Sequence, residues 1–212
     1  MEMVASQDPK SVIKAAYLTQ LRHGPFTESE IVSIVSPAEL REAAAQGYLV
    51  QHQNNGTRYS LSTGGRSKIT VVLAGGVYDV LHLGHLAALT EAKSFGDVLI
   101  AVVATDITVE MLKGRKPIFP EEERRKLVEG LRPVDRAILG YEDVGMGYEE
   151  VLMEVMPDIV AFGYDQENLE RSVSEIITRR NLRIKIVQLS RFEHEKHPSS
   201  TSVRQKLSET LN

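Results

Sequence analysis

Apolar residues recur along this chain with two different periods, and the change between them divides it. Near the N-terminus Val12, Ile13, Ala16, Tyr17 and Leu21 fall at helical spacing, and Arg22-His23-Gly24-Pro25 stops that helix. Thr27-Glu28-Ser29-Glu30 has the capping-box pattern ahead of Ile31, Ile34 and Val35. Ser36-Pro37 leads into a third predicted helix over residues 38–46, closed by Gly47. Tyr48-Leu49-Val50-Gln51-His52 and Arg58-Tyr59-Ser60-Leu61 then flank Asn54-Asn55-Gly56, a hairpin turn signal. From residue 69 onward the texture changes to β-branched runs alternating with helical patterns. Strands are predicted over residues 69–74, 97–104, 136–139, 158–162 and 183–189, and helices over 83–95, 121–131 and 149–156. Such alternation predicts an α/β domain with a parallel sheet and helices on both faces. Its ligands should sit at the carboxyl ends of the strands, near the point where strand order reverses.

Between the two textures lies Ser62-Thr63-Gly64-Gly65-Arg66-Ser67-Lys68, a polar stretch with adjacent glycines that reads as a linker. It gives two domains, residues 1–66 and 67–212. Three helices followed by a hairpin resemble a winged helix-turn-helix domain, a fold that serves DNA binding in some proteins and only packing or dimerisation in others. Residues 1–68 hold seven basic and six acidic side chains, a net charge of +1. The helix that would enter a groove carries Glu39 and Glu42 beside a single Arg41, so cations for phosphate are few.

Composition narrows the chemistry. The chain has 212 residues, 42% hydrophobic and 25% charged, within the globular range, with a formal charge of −4. A nucleic-acid-coating protein is excluded by that balance, though a local basic face is not. The absence of cysteine removes disulfides, zinc–thiolate sites, iron–sulfur clusters and thiol nucleophiles. The apolar run over residues 98–104 is of strand length, far short of a membrane span. Met1-Glu2-Met3-Val4-Ala5 lacks the start of a signal peptide, so a cytoplasmic location is expected.

After the first predicted strand of the second domain comes Gly75-Gly76-Val77-Tyr78-Asp79-Val80-Leu81-His82-Leu83-Gly84-His85. Adjacent glycines let backbone approach a ligand closely. Three-residue spacing puts His82 and His85 on one face of a helix start, beside unpaired N–H groups and the positive dipole end. That arrangement suits an anion gaining charge during a reaction. A metal pair or two surface histidines are the competing readings of the spacing alone.

In that setting the residues resemble the cytidylyltransferase-type nucleotidyltransferases, which carry an HxGH motif on a Rossmann-like, doubly wound parallel sheet. Three further stretches match in order. Lys113-Gly114-Arg115-Lys116-Pro117-Ile118-Phe119-Pro120-Glu121-Glu122-Glu123-Arg124 resembles the basic loop and following helix of the archaeal FAD synthases and glycerol-phosphate cytidylyltransferases. Phe162-Gly163-Tyr164-Asp165 resembles the nucleotide-base loop, and Ser200-Thr201-Ser202-Val203-Arg204 the Ser/Thr-rich motif opening a last helix. The resemblance spans residues 69–207.

It implies transfer of a nucleotidyl group with release of pyrophosphate, aided by Mg²⁺. His82 and His85 would bond the α-phosphate, and Lys113, Arg115 and Lys116 the triphosphate and acceptor phosphate. Arg124 would point back at the same site. Gly75, Gly76, Val77, Tyr78, Asp79 and Gly84 would shape the loop, Asp79 either ordering it or helping to bind Mg²⁺ through phosphate. Gly163, Tyr164 and Asp165 would meet base or ribose. Ser200, Thr201 and Ser202 would bind the β- and γ-phosphates, or act as a plain helix cap. Arg191 is a further phosphate candidate, and His194 and His197 read as surface residues. The pattern looks most like the archaeal FAD synthases, which transfer AMP from ATP to FMN. CTP-dependent glycerol-3-phosphate cytidylyltransferase is the close alternative, and a flavin- or nucleotide-sensing DNA-binding regulator the alternative of another class. The C-terminal cysteine pair of many FAD synthases is missing here, and the front module is no part of the minimal enzyme. The resemblance also implies a homodimer.

Overall fold

Side chains bonding to backbone two or three residues away set the helix starts at the front of the chain. The computed structural model describes residues 8–53, 56–142, 147–191 and Glu209. α1 (Pro9–His23) begins where the Asp8 carboxylate accepts the Lys10 N–H at 3.1 Å. α2 (Glu28–Ile31) opens with the Thr27 N–H donating to Glu30 at 2.6 Å. α3 (Pro37–Ala45) opens with the Ser36 N–H donating to Glu39 at 2.8 Å, while Ser36 Oγ accepts the Glu39 N–H at 3.3 Å. The hairpin follows as β1 (Leu49–His52) and β2 (Arg58–Leu61), in antiparallel register from Leu49 opposite Leu61 to His52 opposite Arg58. Residues 54 and 55 of the expected turn lie outside the described residues. Phe26 and Tyr59 exchange backbone hydrogen bonds of 2.9 and 2.7 Å, adding a third strand-like contact beside β2. Both residues are buried with Ile31, Val35, Leu40 and Leu49 in the core of this unit.

The stretch expected as a linker is a helical turn, α4 (Thr63–Arg66), capped by Ser62 Oγ on the Gly65 N–H at 2.9 Å. Gly65 is buried there, and the position requires glycine because a Cβ would stand 2.2 Å from the Tyr48 carbonyl oxygen. Its glycine serves close packing rather than freedom. The chain divides into two compact units, Met1–Thr70 and Val71–Asn212, a few residues beyond the expected boundary.

The second unit runs β3 (Val71–Gly76), α5 (Leu83–Ser94), β4 (Val98–Val103), α6 (Asp106–Lys113), α7 (Glu121–Glu129), β5 (Arg136–Leu139), α8 (Gly147–Val155), β6 (Ile159–Phe162), α9 (Glu167–Arg179) and β7 (Lys185–Gln188). Five strands form one parallel sheet in the order β5-β4-β3-β6-β7. The chain winds outward from β3 through β4 to β5, then returns to β6 on the other side of β3. Because parallel crossovers are right-handed, that reversal places α5–α7 and α8–α9 on opposite faces. The reversal point lies between β3 and β6. Strands β3, β4 and β6 are almost wholly apolar and buried, as a sheet covered on both faces requires. Two carboxylates pin its amino edge: Asp158 accepts the Val71 N–H and Asp135 the Leu99 N–H, each at 2.7 Å. Helices α6 and α9 are additional to the predicted elements. No helix among the described residues is long and apolar enough to cross a membrane.

Candidate active site at the strand reversal

The turn from β3 into α5 brings the two histidines together. His82 is the cap of α5, its Nδ1 accepting the Gly84 N–H at 3.1 Å, and His85 Nδ1 accepts the His82 N–H at 3.4 Å. An imidazole whose Nδ1 accepts a backbone N–H carries its neutral-state proton on Nε2. Both rings therefore hold Nε2–H as a donor, and they stack with centroids 3.9 Å apart. Gly84 leaves the room for this, since a Cβ there would press the His82 ring at 3.0 Å. Burial, helped by the charges of His82 and Lys113, lowers the His85 pKa from 6.5 to about 4. His85 is thus a neutral donor at physiological pH. Lys113 is exposed at the end of α6.

Tyr78 is buried behind them with a left-handed backbone, φ 52°, which costs a non-glycine residue ~1 kcal/mol. Its ring meets the edge of His85 at 5.4 Å between centroids, and burial pushes its hydroxyl pKa up. Asp79, also buried, accepts the N–H groups of Ile118 and Phe119 at 2.6 and 3.2 Å, and its other oxygen lies 3.7 Å from Arg115. It therefore ties the basic loop to the histidine turn and orients Arg115 there. Lys116 is exposed on the same loop.

Arg124 does not point at the site with the other cations. It is fully buried, donating to Phe119 O at 2.9 Å, Val77 O at 2.6 Å and Asp106 at 2.6 Å. These bonds engage Nε, Nη1 and Nη2, so Arg124 clamps the histidine turn, the basic loop and the start of α6 from behind. The expectation of a phosphate contact is corrected to a positioning role.

On the other side of the reversal, Gly163, Tyr164 and Asp165 form the turn after β6. Gln166 Oε1 accepts the Gly163 N–H at 2.7 Å, and its Nε2 donates to the Gly75 carbonyl at 3.0 Å. The exposed Tyr164 ring faces the Arg191 guanidinium at 5.3 Å, and Ser190 beside it is anchored by its N–H and hydroxyl to Glu91. Arg191 is thereby turned toward the Tyr164 ring.

The structure thus gathers His82, His85, Gly75, Gly76, Val77, Tyr78, Asp79, Gly84 and Arg115 around one turn, with Gly163 held against it through Gln166. Ser200, Thr201, Ser202, His194 and His197 lie outside the described residues. Sequence reasoning did not single out Gln166 or Asp106; their only signal is the length of a polar side chain placed beside a strand end. Among the described residues no group of three or more histidine or acidic side chains is placed to hold a metal. Asp79 is engaged by two amides and faces a guanidinium.

Comparison with known proteins agrees with this geometry. A protein of Thermoplasma acidophilum named FAD synthase is 44% identical over 140 residues, covering 66% of this chain and 95% of its own length. An Aciduliprofundum boonei protein of the same name is 46% identical over 121 residues, 57% of this chain and 78% of its own. A crystal structure from Thermoplasma volcanium, described as a lipopolysaccharide core biosynthesis protein, is 42% identical with a TM-score of 0.54. That match covers 59% of this chain and 99% of the other. The cytidylyltransferase-like family profile matches residues 73–206, which takes in the histidine turn and the turn after β6. With the strand order, the histidine turn and this match in agreement, the chain belongs to the cytidylyltransferase-like family.

Proposed function

We propose that this protein is an FAD synthase, transferring AMP from ATP to FMN with release of pyrophosphate. The observation that carries the reading is the relative named FAD synthase that this chain spans over 95% of its length at 44% identity. The site is built for such a transfer. An FMN phosphate oxygen bonds to the α-phosphorus as the bond to the bridging oxygen of the β-phosphate breaks, and that electron pair departs with pyrophosphate. Charge on the α-phosphate oxygens grows at the transition state, where the Nε2–H groups of His82 and His85 donate to it. Both are fixed by backbone before substrate arrives, which is where electrostatic catalysis gains most. Lys113, Arg115 and Lys116 hold the triphosphate and the acceptor phosphate, and Gly75 and Gly76 let the phosphates approach the backbone. Gly163, Tyr164 and Asp165 take base or ribose, with Ser200, Thr201 and Ser202 as a second phosphate site. Mg²⁺ carried on the nucleotide supplies charge neutralisation for the leaving pyrophosphate. The enzyme acts in the cytoplasm as a homodimer.

The test mixes the protein and Mg²⁺ with ATP or CTP against FMN or glycerol 3-phosphate and follows pyrophosphate. Release with ATP and FMN is expected; release only with CTP and glycerol 3-phosphate would reassign the acceptor, and none from any pair would end the enzyme reading.

The front unit is proposed to be a winged helix-turn-helix domain. The Phe26–Tyr59 bridge beside the β1–β2 hairpin supports this, because it is the small sheet such a wing needs. Its binding to DNA is a weaker reading. Arg41 and Glu42 are exposed together on α3, and Arg58 donates to the Pro25 carbonyl at 2.7 Å. Binding to a promoter-length duplex at two salt concentrations decides it; affinity that does not fall with salt would exclude phosphate recognition.

A further inference from the structure

Backbone geometry at the reversal point shows an interrupted ladder. β3 pairs with β4 as far as Gly76 opposite Val103, but with β6 only as far as Ala74 opposite Ala161. The Gly76 carbonyl accepts the Ala104 N–H, so Gly76 faces β4 and Gly75, one residue earlier, faces β6. The Phe162 carbonyl accepts the Leu189 N–H, so Phe162 faces β7 and Gly163 faces β3. One more rung would join the Gly163 N–H to the Gly75 carbonyl. The Gln166 carboxamide stands between those two groups instead, accepting from one at 2.7 Å and donating to the other at 3.0 Å. Its orientation is fixed by the partners, a donor on one side and an acceptor on the other.

We propose that the Gln166 carboxamide is a spacer that sets the width of the nucleotide crevice, a positioning residue that holds the turn after β6 one amide away from the glycine turn after β3. A side-chain amide inserted into a ladder satisfies both backbone groups while preventing the strands from closing. The mouth it props open is the one where ligands of reversed parallel sheets bind. The inference rests on the nucleotidyl-transfer reading for its ligand, though not on the acceptor.

The experiment uses the full chain and two variants, with binding of a non-hydrolysable ATP analogue measured by calorimetry and turnover by pyrophosphate release. Gln166→Met keeps the length and removes both bonds. It should weaken the analogue and raise the KM for ATP by about tenfold, the loss of two hydrogen bonds of ordinary strength, with kcat within about twofold because His82 and His85 sit on the other wall. Gln166→Glu keeps the acceptor but sets a carboxylate against the Gly75 carbonyl, and only its protonated form can restore the donor. Its affinity relative to wild type should therefore climb as pH falls from 8 to 5. A simple packing role would give no such pH-dependent recovery. Wild-type affinity in Gln166→Met, or a flat ratio for Gln166→Glu across that pH range, overturns the spacer. The expected binding pattern without turnover on any nucleotide and acceptor pair would uphold the spacer and remove the FAD synthase reading. Failure of the wild-type chain to bind ATP or CTP analogues overturns both.

Discussion

The two units use polar side chains over different distances along the chain. In the front unit the bonds that define helices close over two or three residues: Asp8 with Lys10, Thr27 with Glu30, Ser36 with Glu39. Its long-range side-chain bonds include Gln20 accepting the Leu61 N–H, 41 residues away, and Arg58 donating to the Pro25 carbonyl, 33 residues away. In the second unit the decisive bonds are distant: Asp79 reaches 39 residues to Ile118, Arg124 reaches 47 to Val77, and Gln166 reaches 91 to Gly75. A small helical module can be specified by local caps, and those cap bonds stay at the surface. A parallel sheet delivers the loops of its site from far-apart segments, so buried or half-buried polar ties must register those loops against one another.

The largest expected effect tests the site itself. His82→Ala or His85→Ala should lower kcat about 10²–10³-fold, as loss of a preorganised donor does. The folded state should persist, since the backbone bonds of both side chains lie within the single turn that starts α5. An unchanged rate in the pyrophosphate assay would remove the pair from the mechanism.

Arg124 tests the long-range ties. Arg124→Met leaves the carbonyls of Val77 and Phe119 and the Asp106 carboxylate without their shared donor, at a cost of about 3 kcal/mol. Asp106 is 40% exposed and recovers water, which keeps the figure at the low end for a broken buried pair. Urea unfolding should show the loss in the second unit, with turnover falling as the two turns come apart. A direct phosphate contact would instead give normal stability with a raised KM, and that result would return Arg124 to the substrate.

How much could be read without the structure follows from the same contrast. The front helices and hairpin were legible because Thr27-Glu28-Ser29-Glu30, Ser36-Pro37 and Gly47 are local signals. The strands of the second unit were legible as β-branched runs, and the histidine turn as glycines and imidazoles at fixed spacing. Helix α9 was missed although Leu169, Val173, Ile176 and Ile177 lie at helical spacing, with Val173 and Ile176 buried; the shorter α6 has fewer turns to show a period. Gly65 was misread because the sequence shows a missing Cβ but not the Tyr48 carbonyl that requires it. Arg124 was misread for a related reason. A cation in a basic segment looks like a phosphate ligand until its three acceptors, drawn from residues 77, 106 and 119, are assembled around it.

A smaller effect comes from pH. His85 has a folded pKa of about 4 against an ordinary 6.5, so the unfolded chain takes up the proton first as pH falls. The stability of the second unit is then full above about pH 6.5, declines between there and about pH 4, and is flat below on this account, a loss of about 3 kcal/mol. His85→Gln should abolish that part of the decline, seen as the difference between variant and wild-type urea midpoints at pH 7.5, 6 and 4.5. A difference that does not change with pH would mean that the imidazole is not held neutral.

The smallest effect falls on the local side of the comparison. Ser36→Ala removes the hydroxyl that accepts the Glu39 N–H and donates to the Glu39 carboxylate at 2.6 Å, while the Ser36 backbone N–H keeps its bond to Glu39. Half of the capping box survives, so the cost should be about 1 kcal/mol, the usual worth of such a cap. Hydrogen bonds from Ser36 also hold the Glu39 carboxyl below its ordinary pKa, the side chain's more than the backbone's, and the variant should let it rise. Because the tie spans three residues, hydrogen exchange should accelerate along α3 and leave the amides of Val71, Leu99 and Gly163 as protected as before, with unchanged turnover. Exchange that quickens in both units together would show that the front module is specified by more than its local caps, and the contrast between the two units would fail at its simplest point.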